Sequence, residues 1–131
     1  IRPFNKIIIS ISIDYENKYD DIMNYCALYG YLKIIKWCRA NDAPWPVLRR
    51  NYRNNVCSNA ALNGHLEVLK WCIENDAPWN EHTCSSAAEN GHLEILKWLK
   101  KNGAPWNALT CSFAAKNGHL EVIQYVEQMV H

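Results

Sequence analysis

The sequence lacks a strong charge bias, a long apolar run and the common catalytic motifs. Its 14 Lys and Arg nearly balance its 13 Asp and Glu, which argues against a dedicated nucleic-acid or membrane-surface protein. No apolar run approaches the roughly 18 residues that a membrane-spanning helix needs. Gly-x-Ser-x-Gly, the phosphate-binding G-x-x-x-x-G-K and His-Glu-x-x-His are all missing. We therefore predict a protein that is not an enzyme, with no cofactor, no metal, no membrane span and no small-molecule substrate.

Length and composition limit the architecture. The chain has 131 residues, 49% of them hydrophobic and 21% charged, which is typical of one ordinary globular domain. It begins with Ile1 rather than Met, so we expect a piece of a longer protein.

The cysteines have no C-x-x-C spacing, which argues against a zinc or redox motif. Three of them recur every 27 residues in the same local context, and two others follow a Trp. Residues at equivalent positions of a repeat favour small buried core side chains, as free cysteine often is. We predict six reduced thiols and hence an intracellular, reducing compartment. They are Cys26, Cys38, Cys57, Cys72, Cys84 and Cys111.

Internal repetition is the main signal in the sequence. Asn-Gly-His-Leu-Glu occurs at 63–67, 90–94 and 117–121, and Ala-Pro-Trp occurs at 43–45, 77–79 and 104–106. A weaker copy of the five-residue motif, Tyr-Gly-Tyr-Leu-Lys at 29–33, lies 34 residues before the full copy at 63–67. Several separate motifs recur with the same spacing, so the chain is predicted to stack about four similar units.

Each unit is predicted to be a pair of short helices. In the third unit Asn80 is a good cap for the first helix, and Gly91 supplies the left-handed turn that ends it. The second helix has a broad apolar face around Leu96, and Pro105 prevents its continuation. Neither helix can bury its apolar side alone, so the predicted fold is an all-α helix-turn-helix solenoid with little or no β-structure.

The pattern T-C-S-x-A-A-x-N-G-H-L-E at 83–94 and 110–121 resembles an ankyrin repeat. The shared features are the Ala-Ala pair, the Gly-His turn and the start of the second helix. The usual T-P-L-H start is absent, and the period is 27 rather than 33, which implies that the projecting hairpin fingers are missing. Such shortened arrays resemble those expanded in giant DNA viruses and in some algae and protists. The resemblance implies a non-catalytic module, a scaffold or adaptor, that binds another protein.

First-helix positions that vary while the framework stays constant are the candidate partner surface. In ankyrin arrays these columns resemble the partner-facing side, and we expect their side chains to be solvent-accessible. Phe113 is the most informative member, because the other units have Tyr, Asn and Ser in its column. The candidates are Tyr25, Leu28, Leu62, Ser86, Glu89, Phe113 and Lys116.

Two segments interrupt the repeat. An insertion after Trp45 contains Arg49, Arg50 and Arg53, which favours either a contact with phosphate or an acidic partner, or a solvated loop. Residues 1–18 are predicted to cap the array of residues 19–131, as a degenerate second helix or as a strand. Two alternatives to a binding module remain. One is a structural component of a virus particle or other large assembly. The other is nucleic-acid association through the Arg49–Arg53 loop, although the overall neutrality of the chain argues against nucleic acid as a partner.

Overall fold

A computed structural model describes residues 18–47 and 54–130. In these two ranges the chain forms eight α-helices and no strand, which confirms the predicted all-α solenoid. The helices are α1 Lys18–Tyr29, α2 Leu32–Ala40, α3 Val56–Leu62, α4 Leu66–Glu74, α5 Glu81–Glu89, α6 Leu93–Lys101, α7 Ala108–Lys116 and α8 Leu120–Val130.

Asparagine side chains begin three of the four first helices. Asn55 Oδ1 accepts from the Ser58 backbone N–H at 2.9 Å, Asn80 Oδ1 from His82 at 3.0 Å and Asn107 Oδ1 from Leu109 at 3.0 Å. Each bond satisfies a donor that the helix itself leaves unpaired, and such a cap contributes typically about 1 kcal/mol. The predicted cap at Asn80 is confirmed.

The turns between paired helices follow the predicted backbone. The glycines at 30, 64, 91 and 118 have φ between 71° and 82°, the left-handed region that favours glycine. Asp42 and Asp76 have φ of 65° and 69° where the third unit has Gly103 at 79°. Asp tolerates this backbone better than most residues, so it takes the place of glycine at the second turn of the first two units.

First helices pack along the array, and each also packs against its own second helix. The contacts run from α1 to α3, from α3 to α5 and from α5 to α7. First helices contribute small buried residues such as Cys57 and Ala87, whereas second helices contribute larger ones such as Leu69 and Leu96. Small side chains let the first helices approach closely, and each fully buried Leu contributes about 1.5–3 kcal/mol.

In the second, third and fourth units, an Asn and a His bond to one carbonyl of the preceding unit. The Leu62 carbonyl accepts from Asn90 Nδ2 at 2.8 Å and from His92 Nε2 at 3.0 Å. The same pair of bonds joins residues 63 and 65 to the Leu28 carbonyl, and residues 117 and 119 to the Glu89 carbonyl. Because a carbonyl only accepts, each imidazole carries its proton on Nε2. The repeated histidines therefore have a structural role, because they join each unit to the one before it.

Trp45, in the linker after α2, also joins neighbouring units. Its indole Nε1 donates to the Asn75 carbonyl at 2.8 Å, and its ring lies 6.1 Å from that of Trp71. The Arg39 guanidinium lies 4.7 Å from the Trp45 ring centre. Trp45 therefore covers the seam between the first two units.

Two sets of residues for which the sequence makes predictions lie wholly or mostly outside the described residues. They are residues 1–17 of the N-terminal segment and the arginines at 49, 50 and 53. No helix in the described ranges is long and apolar enough to cross a membrane.

Candidate functional site

The candidate partner residues lie on one side of the stacked first helices. Residues three apart on a helix share a face, as Ser86 and Glu89 do on α5 and Phe113 and Lys116 do on α7. Because α1, α3, α5 and α7 pack in sequence, the equivalent positions form two rows across the array. The first row contains Tyr25, Asn59, Ser86 and Phe113, and the second contains Leu28, Leu62, Glu89 and Lys116.

A groove of about 340 Å³ lies between α3 and α5 in the middle of this surface. We call it the first-helix groove. Three of the seven helix candidates from the sequence, Leu62, Ser86 and Glu89, line it, so the structure brings them together. Among the described residues, Asn54 and Asn59 also line it.

The solvent exposure of the candidate residues differs from one first helix to the next. Tyr25, on the first helix of the array, exposes 58% of its surface, whereas Ser86 exposes 2%. The expectation that Ser86 is solvent-accessible is wrong, because its short side chain lies on a helix that packs between α3 and α7. Lys116 is exposed, and Leu28, Leu62, Glu89 and Phe113 are half-buried.

A local hydrogen-bond network holds the polar wall of the groove. Asn59 Nδ2 donates to Asn54 Oδ1 at 2.7 Å and to the Asn24 carbonyl at 3.3 Å. Both hydrogens of the Asn59 amide are thus used, and its Oδ1 can only accept hydrogen bonds. Asn59 is 7% exposed, and its network ties the groove to α1.

The sequence did not identify the two lining asparagines, Asn54 and Asn59, as site residues. Asn59 occupies the position in the repeat that is equivalent to Tyr25, Ser86 and Phe113. This equivalence was the signal in the sequence that could have identified Asn59 as a site residue. Asn54 lies just before α3 and outside any framework motif, and only the folded structure shows that it contacts Asn59.

A cluster of three tyrosines was also missed. Tyr25, Tyr29 and Tyr31 are all about half-exposed, and their ring centres lie 4.6–6.4 Å apart. Tyr29 and Tyr31 occupy the positions at which later units have the Asn and His that bond to the preceding carbonyl. The first unit therefore presents aromatic surface where the others present hydrogen-bond donors.

A second groove, also of about 340 Å³, lies at the turns between helices. It is lined by Gly64, Gly91, His92 and five residues near the starts of α4, α6 and α8. Most of these residues belong to the repeated framework. We therefore interpret this groove as the seam between units, whereas the first-helix groove is lined mainly by residues that differ from unit to unit.

The buried cysteines are unsuited to nucleophilic chemistry at either groove. All six are free thiols, five of them buried and Cys111 half-buried. Burial raises the pKa of Cys38 to about 11, with a contribution from nearby Cys26, and raises the pKa of Cys72 to about 12. A thiol with so high a pKa is not a thiolate nucleophile at neutral pH. Within residues 18–47 and 54–130, no three His, Cys, Asp or Glu side chains come together as a metal site requires.

The fold and the groove together define a helical-repeat solenoid with a variable surface on its first helices. A family model described as ankyrin repeats (many copies) matches residues 84–126, from within α5 to within α8. Residues 84–126 are therefore similar to ankyrin repeats, and the same helix pair recurs along the described residues. Ankyrin repeats generally mediate protein–protein interaction and are typically non-catalytic. No curated protein matches the chain in sequence.

Proposed function

We propose that this protein is a non-catalytic interaction module, a scaffold or adaptor, that binds another protein through its first-helix surface. The observation that supports this most is the first-helix groove, which lies among variable residues on an otherwise repetitive framework. The helices around it are joined by the paired Asn and His bonds. A preformed surface loses little conformational freedom on binding, which favours affinity.

Affinity purification from the source cells tests the proposal. The bait is the whole chain, either native or with Tyr25→Ala and Lys116→Ala, two exposed positions on the first-helix surface. The matched control is Lys101→Ala, an exposed position at the end of α6. We expect the first-helix variant to lose the captured protein while the control retains it. Loss of capture with the control alone, or retention by both variants, would contradict the proposed surface.

We also propose that the protein works in a reducing, intracellular compartment. Support comes from its six free cysteines, five of them buried in the packed core. Titration of the native protein with a thiol reagent, before and after denaturation, measures this. We expect six reactive thiols in the denatured protein without added reductant. Fewer than six would contradict a reducing compartment.

A further inference from the structure

The last turn of the array leaves open a space that the inner turns fill. At the glycines at 30, 64 and 91, a Cβ would lie 2.6–2.7 Å from the His ring of the following unit. Gly118, at the turn of the fourth unit, has the same left-handed backbone, with φ of 71°. A Cβ at Gly118, however, would meet no atom of the described residues within 4 Å. The fourth turn therefore has room for one more imidazole ring.

The hydrogen-bond acceptor that accompanies this space is also present. In the first three units, the carbonyl two residues before the turn glycine accepts from an Asn and a His of the next unit at 2.7–3.0 Å. Lys116 supplies the equivalent carbonyl in the fourth unit, and residues 120–130 contain no Asn or His that could bond to it. A carbonyl has two lone pairs and can accept both bonds, as each inner one does.

The outer side of the last unit has interior residues rather than a polar cap. Ser85 and Ala88 of the third unit are fully buried, whereas their equivalents Ser112 and Ala115 are exposed. Leu120 exposes 69% of its surface, although the equivalent leucines of the second and third units are half-buried. Terminal units of a repeat array normally have a polar outer face, which solubility requires. We call this surface, with Gly118 and the Lys116 carbonyl, the end face.

The end of α8 lacks the signal that leads from one unit to the next. Helices α4 and α6 have nine residues each and end before Asn-Asp and Asn-Gly, whose second residue has left-handed backbone. Met129 and Val130 occupy the equivalent positions, and both continue α8, which has eleven residues. A β-branched residue such as Val strongly disfavours left-handed backbone. The chain is therefore not shaped at this point to turn back and cover its own end face.

A second copy of the chain is also poorly suited to the end face. Its inner Asn and His pairs are engaged within its own array. In its first unit Tyr29 and Tyr31 occupy the positions of the Asn and His, and their rings pack on each other and on Tyr25. A phenol ring is larger than an imidazole or an amide, so two of them do not reproduce the paired bonds to one carbonyl.

We propose that the end face docks a helix pair of another repeat protein, whose turn carries Asn-Gly-His as the inner units do. The His ring of the partner lies over Gly118, and its Nε2 and the Asn amide donate to the Lys116 carbonyl. The apolar side of the partner helices covers Ala115 and Leu120. This contact continues the interface that already joins the inner units, and it uses the end of the array rather than the first-helix surface.

The test uses a fluorophore-labelled synthetic peptide with the sequence of residues 80–103, the third unit, whose binding to the whole chain is measured by fluorescence anisotropy. The control peptide carries Asn90→Ala and His92→Ala, so it pays the same cost of ordering on binding without the two donors. We expect it to bind at least about tenfold more weakly, because it lacks both hydrogen bonds to the Lys116 carbonyl.

A pair of variants of the whole chain tests the space at the last turn. Gly118→Ala places a methyl group where the His ring would lie, so it should weaken binding of the peptide at least about tenfold. Gly103→Ala is the matched control, because it has a similar left-handed backbone, with φ of 79°, but lies between α6 and α7 and not on the end face. It should leave binding unchanged, and circular dichroism checks that both variants are folded.

Each other outcome overturns the proposal. Equal binding of the two peptides would do so, as would failure of the native-sequence peptide to bind above an unrelated peptide. A loss with Gly103→Ala as large as with Gly118→Ala would assign the effect to backbone strain. Sedimentation of the native chain tests the other occupant: we expect a monomer, and a dimer that Gly118→Ala dissociates would assign the end face to a second copy.

Discussion

The contact between Gly91 and His119 gives the sharpest test of how the units are joined. A Cβ at Gly91 would lie 2.6 Å from His119 Nδ1, closer than real Cβ contacts come. Gly103, in the same unit, has a similar φ of 79° but no atom within 4 Å of the corresponding Cβ. The two glycines therefore share the backbone strain and differ in the clash.

We expect Gly103→Ala to cost about 1–2 kcal/mol, the usual strain of a left-handed alanine. Gly91→Ala carries the same strain and also displaces the His119 ring, which breaks the bond from its Nε2 to the Glu89 carbonyl. Loss of one such bond adds about 0.5–1.5 kcal/mol. Urea denaturation of both variants measures the difference.

A double-mutant cycle isolates the clash. In a His119→Ala background the ring is absent, so Gly91→Ala should cost no more than Gly103→Ala does. The interaction energy of the cycle should therefore be about as large as the extra loss in the native background. Equal losses for Gly91→Ala and Gly103→Ala in the native background would refute the reasoning.

Three further predictions concern the core, pH and the aromatic candidate. Leu96→Ala should cost about 2–5 kcal/mol of unfolding free energy because Leu96 is fully buried. Lys97 is exposed, so Lys97→Ala should cost less than about 1 kcal/mol, including the loss of its contact with the Tyr125 ring. Similar urea midpoints for the two variants would contradict this assignment of the helix face. Burial lowers the pKa of His92 despite its bond to the Leu62 carbonyl, so the folded state favours the neutral ring. The folded state therefore loses stability as the pH falls below about 6.5, the usual pKa of histidine. Thermal melts at pH 7.5 and 5.5 should show a smaller decrease for His92→Gln than for the native chain, and an equal decrease would contradict the prediction. Phe113→Ala should weaken partner capture with a loss of stability below about 3 kcal/mol, the lower end for a core Phe, and a larger loss would assign Phe113 to the core.

The sequence by itself determined the units, their two helices and their turns, because each of these depends on chemistry within a few residues. Asn80 caps the helix that begins beside it, and Gly91 and Asp76 adopt left-handed backbone at the turns. Such local signals recur in every unit, so the register of the whole array could be read from one chain.

Only the tertiary structure decided which first-helix side chains reach solvent and which line the groove. Tyr25 and Ser86 occupy equivalent positions in the repeat, yet one is more than half exposed and the other is 2% exposed. Helical periodicity assigns both to the same face, but burial depends on the neighbouring units and on side-chain length. The bond from Asn59 to Asn54 and the approach of His119 to Gly91 likewise join residues whose distance is set by packing. Contacts of this kind depend on how adjacent units sit against one another, which no local sequence pattern specifies.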